Sequence, residues 1–258
     1  MLKSVVLYYF SPTGGTKKVA ETFASRLSKK VDLVDLGEKK LLRKNTENDL
    51  AVVAAPVFGG RIPSLAADKI KTLDGTGKKA VSLVVYGTRA YEDALLELND
   101  ALRESHFQII ASGDFVAQHS IVPDVGKGRP DSRDIEEIRA FADHVLDKIG
   151  RLEQEGAEEK EIKVPGSRPY KTAMKITDTP ISTSSCTLCG RCAEVCPTGA
   201  IYIDGNELTT DVRKCILCMS CTHVCPENAR VLPKALQEGD DKMLSPLIGV
   251  YRENETFY

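Results

Sequence analysis

Over residues 1–154 of this 258-residue chain, short β-branched apolar runs alternate with longer stretches whose apolar residues recur every three or four positions. The short runs, bounded by Gly, Pro, Ser and Asp, predict strands over 4–10, 31–35, 50–57, 79–86 and 108–116. Val19, Ala20, Phe23, Ala24 and Leu27 fall at helical spacing and predict a helix over 15–29. Similar patterns predict helices over 65–72, 92–106 and 132–154. This alternation is the signature of an α/β unit, a parallel sheet with helices on both faces.

The pattern then changes. Glu155-Gly156-Ala157-Glu158-Glu159-Lys160 has no apolar face, and Pro165, Gly166, Pro169 and Pro180 follow. A connector is expected over 155–176. Residues 177–233 form a second, small unit whose halves repeat with an offset of 29 residues. Its other apolar residues are few (Ile181, Ala200, Ile201, Ile203, Leu208, Val212, Ile216 and Val231), so metal is expected to hold it together. The tail, 234–258, carries scattered apolar residues (Leu244, Leu247, Ile248, Val250, Tyr251) that can pack back on either unit.

Composition narrows the function classes. Hydrophobic residues make up 42% and charged residues 28%, ordinary for a globular protein. Thirty-five Lys and Arg against 37 Asp and Glu give a net charge of −2, which offers no argument for nucleic acid or an anionic membrane. The apolar run Val5 to Phe10 is too short for a signal sequence, and no stretch approaches the ~20 apolar residues of a membrane span. A cytoplasmic location is expected.

All eight cysteines lie beyond residue 185, in two copies of C-x2-C-x2-C-x3-C-P. Cys186, Cys189, Cys192 and Cys196 precede Pro197; Cys215, Cys218, Cys221 and Cys225 precede Pro226. Two-residue gaps let one tight loop present three thiolates to a face of an iron–sulfur cube, while the cysteine before proline leaves that loop for the other site. Cys186, Cys189, Cys192 and Cys225 are therefore expected to hold one [4Fe–4S] cluster, and Cys215, Cys218, Cys221 and Cys196 the other. Two zinc sites are the alternative, but zinc ligands come more often as separated C-x2-C pairs. Disulfides fit a reducing compartment poorly. The region resembles the bacterial two-cluster ferredoxins in all eight ligands and both prolines, which implies low-potential one-electron transfer.

The first strand ends in Phe10-Ser11-Pro12-Thr13-Gly14-Gly15-Thr16 just before a helix. Hydroxyls and free N–H groups at a helix N-terminus suit an anion, and ligands of doubly wound sheets bind beyond the strand C-termini. No Walker loop and no G-x-G-x-x-G follows that strand. S-x-T-G-x-T here resembles the FMN phosphate loop of flavodoxins, which implies a sheet of order 2-1-3-4-5 and a phosphate held by Ser11, Thr13, Gly14, Gly15 and Thr16. By the same resemblance, Pro56, Val57, Phe58, Gly59 and Gly60 after the third strand flank the flavin ring. Gly87, Thr88, Arg89, Ala90 and Tyr91 after the fourth do so from the other side. Phe58 and Tyr91 are the aromatic candidates to touch the ring, although Phe58 equally suits core packing. Arg89, more than Arg61, is placed to face the flavin. His119 follows the fifth strand and faces either the flavin, a cluster or solvent.

The whole chain resembles the flavodoxin–ferredoxin fusion proteins of anaerobic bacteria and archaea. The resemblance implies an electron carrier that passes single electrons between FMN, two [4Fe–4S] clusters and a redox protein partner. Residues 177–233 hold six acidic against four basic residues, suiting a partner with a basic patch. The main alternative is an FMN-dependent oxidoreductase acting on a small molecule or quinone; a third is a sensor with structural clusters. A homodimer is left open.

Overall fold

The structure is a computed structural model and describes residues 1–39, 48–155 and 161–258. Of the expected connector, residues 156–160 lie outside the described residues. Five parallel strands run in the order β2-β1-β3-β4-β5: β1 Val5–Tyr9, β2 Val31–Asp35, β3 Leu50–Pro56, β4 Lys79–Tyr86 and β5 Gln108–Val116. Strand alternation divides β1 between two cores. Val5, Leu7 and Tyr9 face α1 (Gly15–Leu27) and α4 (Ser132–Glu155), where the Phe23 and Phe141 rings meet at 5.0 Å. Val6 and Tyr8 face α2 (Ser64–Ile70) and α3 (Ala94–Glu104). Because helices cover both faces, β1 and β3 are buried along their whole length.

Residues 161–175 follow the outside of α3. Ile162 enters the α2/α3 core. Asp93 accepts the backbone N–H of Ser167 and of Lys171, at 2.8 and 2.7 Å. Arg168 and Tyr170 both hold Asp100. Arg61 is clamped between Glu97 at 2.6 Å and the Tyr170 ring at 4.7 Å. The second half of the expected connector is thus an anchored strap.

The cysteine region has two small antiparallel ladders. β6 (Ile181–Ser182) pairs with β9 (Arg230–Val231), and β7 (Ile201–Asp204) with β8 (Glu207–Thr210). The 29-residue repeat is visible in the backbone. One-turn helices α5 (Arg191–Glu194) and α6 (Ser220–His223) correspond, and so do left-handed residues Leu188 and Leu217, Gly190 and Met219, Gly199 and Asn228. After α7 (Lys234–Leu244) the chain returns to the first domain, where β10 (Glu255–Phe257) pairs antiparallel with β5. Among the described residues no helix is long and apolar enough to cross a membrane.

Candidate functional site: a cleft bordered by the cysteine domain

The loops at the C-terminal ends of β1, β3, β4 and β5 converge on one open cleft. Ser11, Thr13, Gly15 and Thr16 line it, with Pro56, Val57, Phe58, Gly59, Gly87 and Arg89. Gly14, Gly60, Thr88, Ala90 and Tyr91 do not. Gly14 is the left-handed residue that opens α1. Thr88 is wholly buried, and its hydroxyl has no hydrogen-bond partner among the described residues. Tyr91 turns from the cleft, stacks edge-on against Tyr86 and donates to Glu255 of β10 at 2.9 Å. Arg61 is also outside the lining, held by Glu97.

Each loop shows why its sequence takes this shape. The first N–H groups of a helix have no intrahelical acceptor. Ser11 Oγ takes that of Lys17 at 2.9 Å, while Gly15 and Thr16 line the cleft. Gly60 has φ +89°, and a Cβ there would lie 1.7 Å from a Glu92 carboxylate oxygen. Glu92 in turn binds Arg89 at 3.0 Å and Lys171 of the strap at 2.6 Å, and these cations hold its carboxyl below the usual range.

His119 stands over Gly87, so close that a Cβ on Gly87 would meet the ring at 2.4 Å. His119 Nδ1 accepts the backbone N–H groups of Ile121 and Val122 at 3.2 and 3.1 Å. Two donors on Nδ1 place the proton of the neutral ring on Nε2. Burial first, then the charge of Arg89, lowers its pKa and keeps the ring neutral. His119 therefore brings one N–H donor to the cleft wall.

The remaining wall was not legible as cleft in the sequence. It comes from Met174 of the strap, from Leu217 and Cys218 of the second cysteine run, and from Asp240, Met243 and Leu244 of α7. Only the tertiary fold brings these residues to the β-strand ends.

None of the eight cysteines forms a disulfide, and all gather around two cavities. Cys186, Cys189, Cys192 and Cys225 line one; Cys196, Cys215, Cys218 and Cys221 line the other. Each set takes three cysteines from one run and the fourth from the other. Left-handed turns at Leu188 and Leu217 curl the loops around the cavities. Backbone N–H groups of Ala200 and Ala229 point at Cys196 and Cys225 Sγ, both at 3.2 Å, and Leu217 N–H points at Cys215 Sγ at 3.4 Å. No group of three or more His, Cys, Asp or Glu side chains among the described residues converges on a single metal ion. Thiols spaced around a cavity, with N–H donors aimed at sulfur, suit a polynuclear cluster rather than one zinc ion. Burial pushes the Cys218 thiol up to about 12, a cost that a bound cation removes.

The 4Fe-4S binding domain model matches residues 179–202 and 208–231. No curated protein matches the chain. Among solved structures, it is similar to oxidised flavodoxin 1 from Bacillus cereus at 18% identity, covering 56% of this chain and 98% of that one, with a TM-score of 0.42. It is similar to a flavodoxin from the domain Archaea at 14% identity (57% and 99% covered, TM-score 0.42). For rubredoxin oxygen:oxidoreductase from the anaerobe Desulfovibrio gigas the figures are 18% identity, 57% and 37% covered, and a TM-score of 0.40. The fold assignment rests instead on the strand order 2-1-3-4-5 itself. Residues 179–231 thus form a domain of the 4Fe-4S binding family, and it follows an N-terminal domain of flavodoxin-like fold.

Proposed function

We propose that the chain is an electron carrier with FMN in the cleft, a [4Fe–4S] cluster in each cysteine cavity, and a redox protein as external partner. One observation carries this reading: Cys218 lines both the cleft and a cysteine cavity. FMN exchanges one or two electrons and a [4Fe–4S] cluster exchanges one, so such a pair can join the two kinds of couple. The chain's own residues supply position and shielding. The α1 N-terminus, with the hydroxyls of Ser11, Thr13 and Thr16, suits a phosphate. The loops at Val57–Gly59 and Gly87–Arg89 suit a flat ring between them, and His119 offers it a donor. Met174, Leu217, Met243 and Leu244 give the cleft an apolar wall on the side of the cysteine domain.

The other cavity has a different outlook. Its Cys192 is buried but its Cys189 is exposed, which supports exchange with an outside protein at that point. Anaerobically purified protein is expected to hold one FMN and about eight iron atoms. In stopped-flow reduction, flavin and cluster absorbance should bleach together. Colourless protein holding two zinc ions, or a flavin reoxidised rapidly by one small substrate with the clusters inert, sinks the proposal.

A further inference from the structure

Arg230 is a cation in the core of the cysteine domain. It is 3% exposed, and its hydrogen bonds among the described residues go to no carboxylate. Its guanidinium donates to Pro180 O at 2.7 Å, Thr210 Oγ1 at 2.9 Å and Ser182 Oγ at 3.0 Å. These are neutral acceptors, and Nε has no partner among the described residues. Buried arginines are normally paired, because desolvating an uncompensated charge is costly. The missing negative charge must come from elsewhere.

Two candidates adjoin the side chain. Arg230 lines the cavity of Cys186, Cys189, Cys192 and Cys225. Two of its acceptors, Pro180 and Thr210, line the cavity of Cys196, Cys215, Cys218 and Cys221, so the same guanidinium also borders the second set. The equivalent position one repeat earlier is Ile201, so only one such cation stands in the pseudo-symmetric pair.

We infer that Arg230 is the internal counter-ion of both iron–sulfur sites and sets their reduction potentials upward. The inference rests on the proposed clusters. Four thiolates per site outweigh the charge of the iron–sulfide core, and each added electron makes the site more negative. A fixed buried cation stabilises that reduced form more than the oxidised one, and net charge is among the determinants of cluster potential. Arg230 is a tuning residue; it contributes no ligand.

The test is spectroelectrochemical titration of the full-length holoprotein, with iron content measured on the same samples. Arg230→Gln removes the charge and should move both cluster potentials to more negative values. Arg230→Lys keeps the charge and should stay near wild type. Fully iron-loaded Arg230→Gln with unchanged potentials overturns the inference, as does a lysine variant shifted as far as the glutamine one. If Arg230→Gln does not assemble its clusters, Arg230→Lys and Thr210→Val decide, since one keeps the charge and the other keeps the guanidinium. Both should hold potentials near wild type, and a marked negative shift in either overturns the inference. Wild-type protein devoid of iron would instead sink the cluster reading itself.

Discussion

Cys218 of the second cysteine run and Gly59 of the loop after β3 line one cleft, although 159 positions separate them in the sequence. The strap and α7 complete that wall, so the cleft belongs to neither half of the chain alone.

The crossed arrangement of the cysteines makes a double-variant prediction. Cys186→Ser combined with Cys225→Ser strikes one cavity twice, and the protein should keep roughly half its iron. Cys215→Ser combined with Cys225→Ser strikes both cavities and should lose most of it. Iron and sulfide analysis of anaerobic preparations distinguishes the two; equal losses contradict the crossed sets.

Gly87 is required by a neighbour, since its backbone is not among the left-handed residues. Gly87→Ala should cost about 1–3 kcal/mol of stability by driving a Cβ into the His119 side chain. His119→Gly in the same chain should recover most of that loss, because it removes the side-chain atoms that the new methyl group would meet. Urea unfolding of the four proteins of this cycle measures the coupling.

Asp114 is buried in β5 beside the Tyr86 and Tyr91 hydroxyls and feels the charge of Glu255. Burial first, then Glu255, pushes its pKa from 3.8 up to about 8. Between these values the unfolded chain releases a proton that the native chain keeps. Stability should therefore fall as pH rises from about 4 to about 8 and level off above it, by a few kcal/mol at most. Asp114→Asn should flatten this dependence, as read by urea unfolding at pH 5, 7 and 9.

A chain stopped after Arg252 should lose stability by about 2–4 kcal/mol and associate more readily. It lacks β10 and the Asn254 side chain, which accepts from Val116 N–H at 2.9 Å and donates to Asp134 at 2.8 Å. It also bares the outer edge of β5. Thermal unfolding and size-exclusion chromatography read the two effects.

The alternation of β-branched runs and helical spacing located β2, β4 and β5 to the residue, and β1, β3 and α1 to α4 to within a few; the short elements from β6 onward carried no such signal. Those signals are local, because burial on both faces shapes each segment separately. Tyr91 shows where such reasoning stopped: it sits in the expected loop, yet β10, roughly 160 residues on, supplies Glu255 and turns its hydroxyl away from the cleft. Met174 and Met243 carried no signal at all, since an apolar residue in a strap or on a helix looks the same whether it covers core or cofactor.

The return of β10 to the first sheet has a temporal side. During synthesis β5 emerges roughly 140 residues before β10, on the order of ten seconds at ~5–20 residues per second. Throughout that interval the nascent sheet has an unpaired rim, and the whole cysteine domain is translated before the rim is closed. A ribosome-bound chain is thus most open to mispairing just while its metal-binding segment is being made.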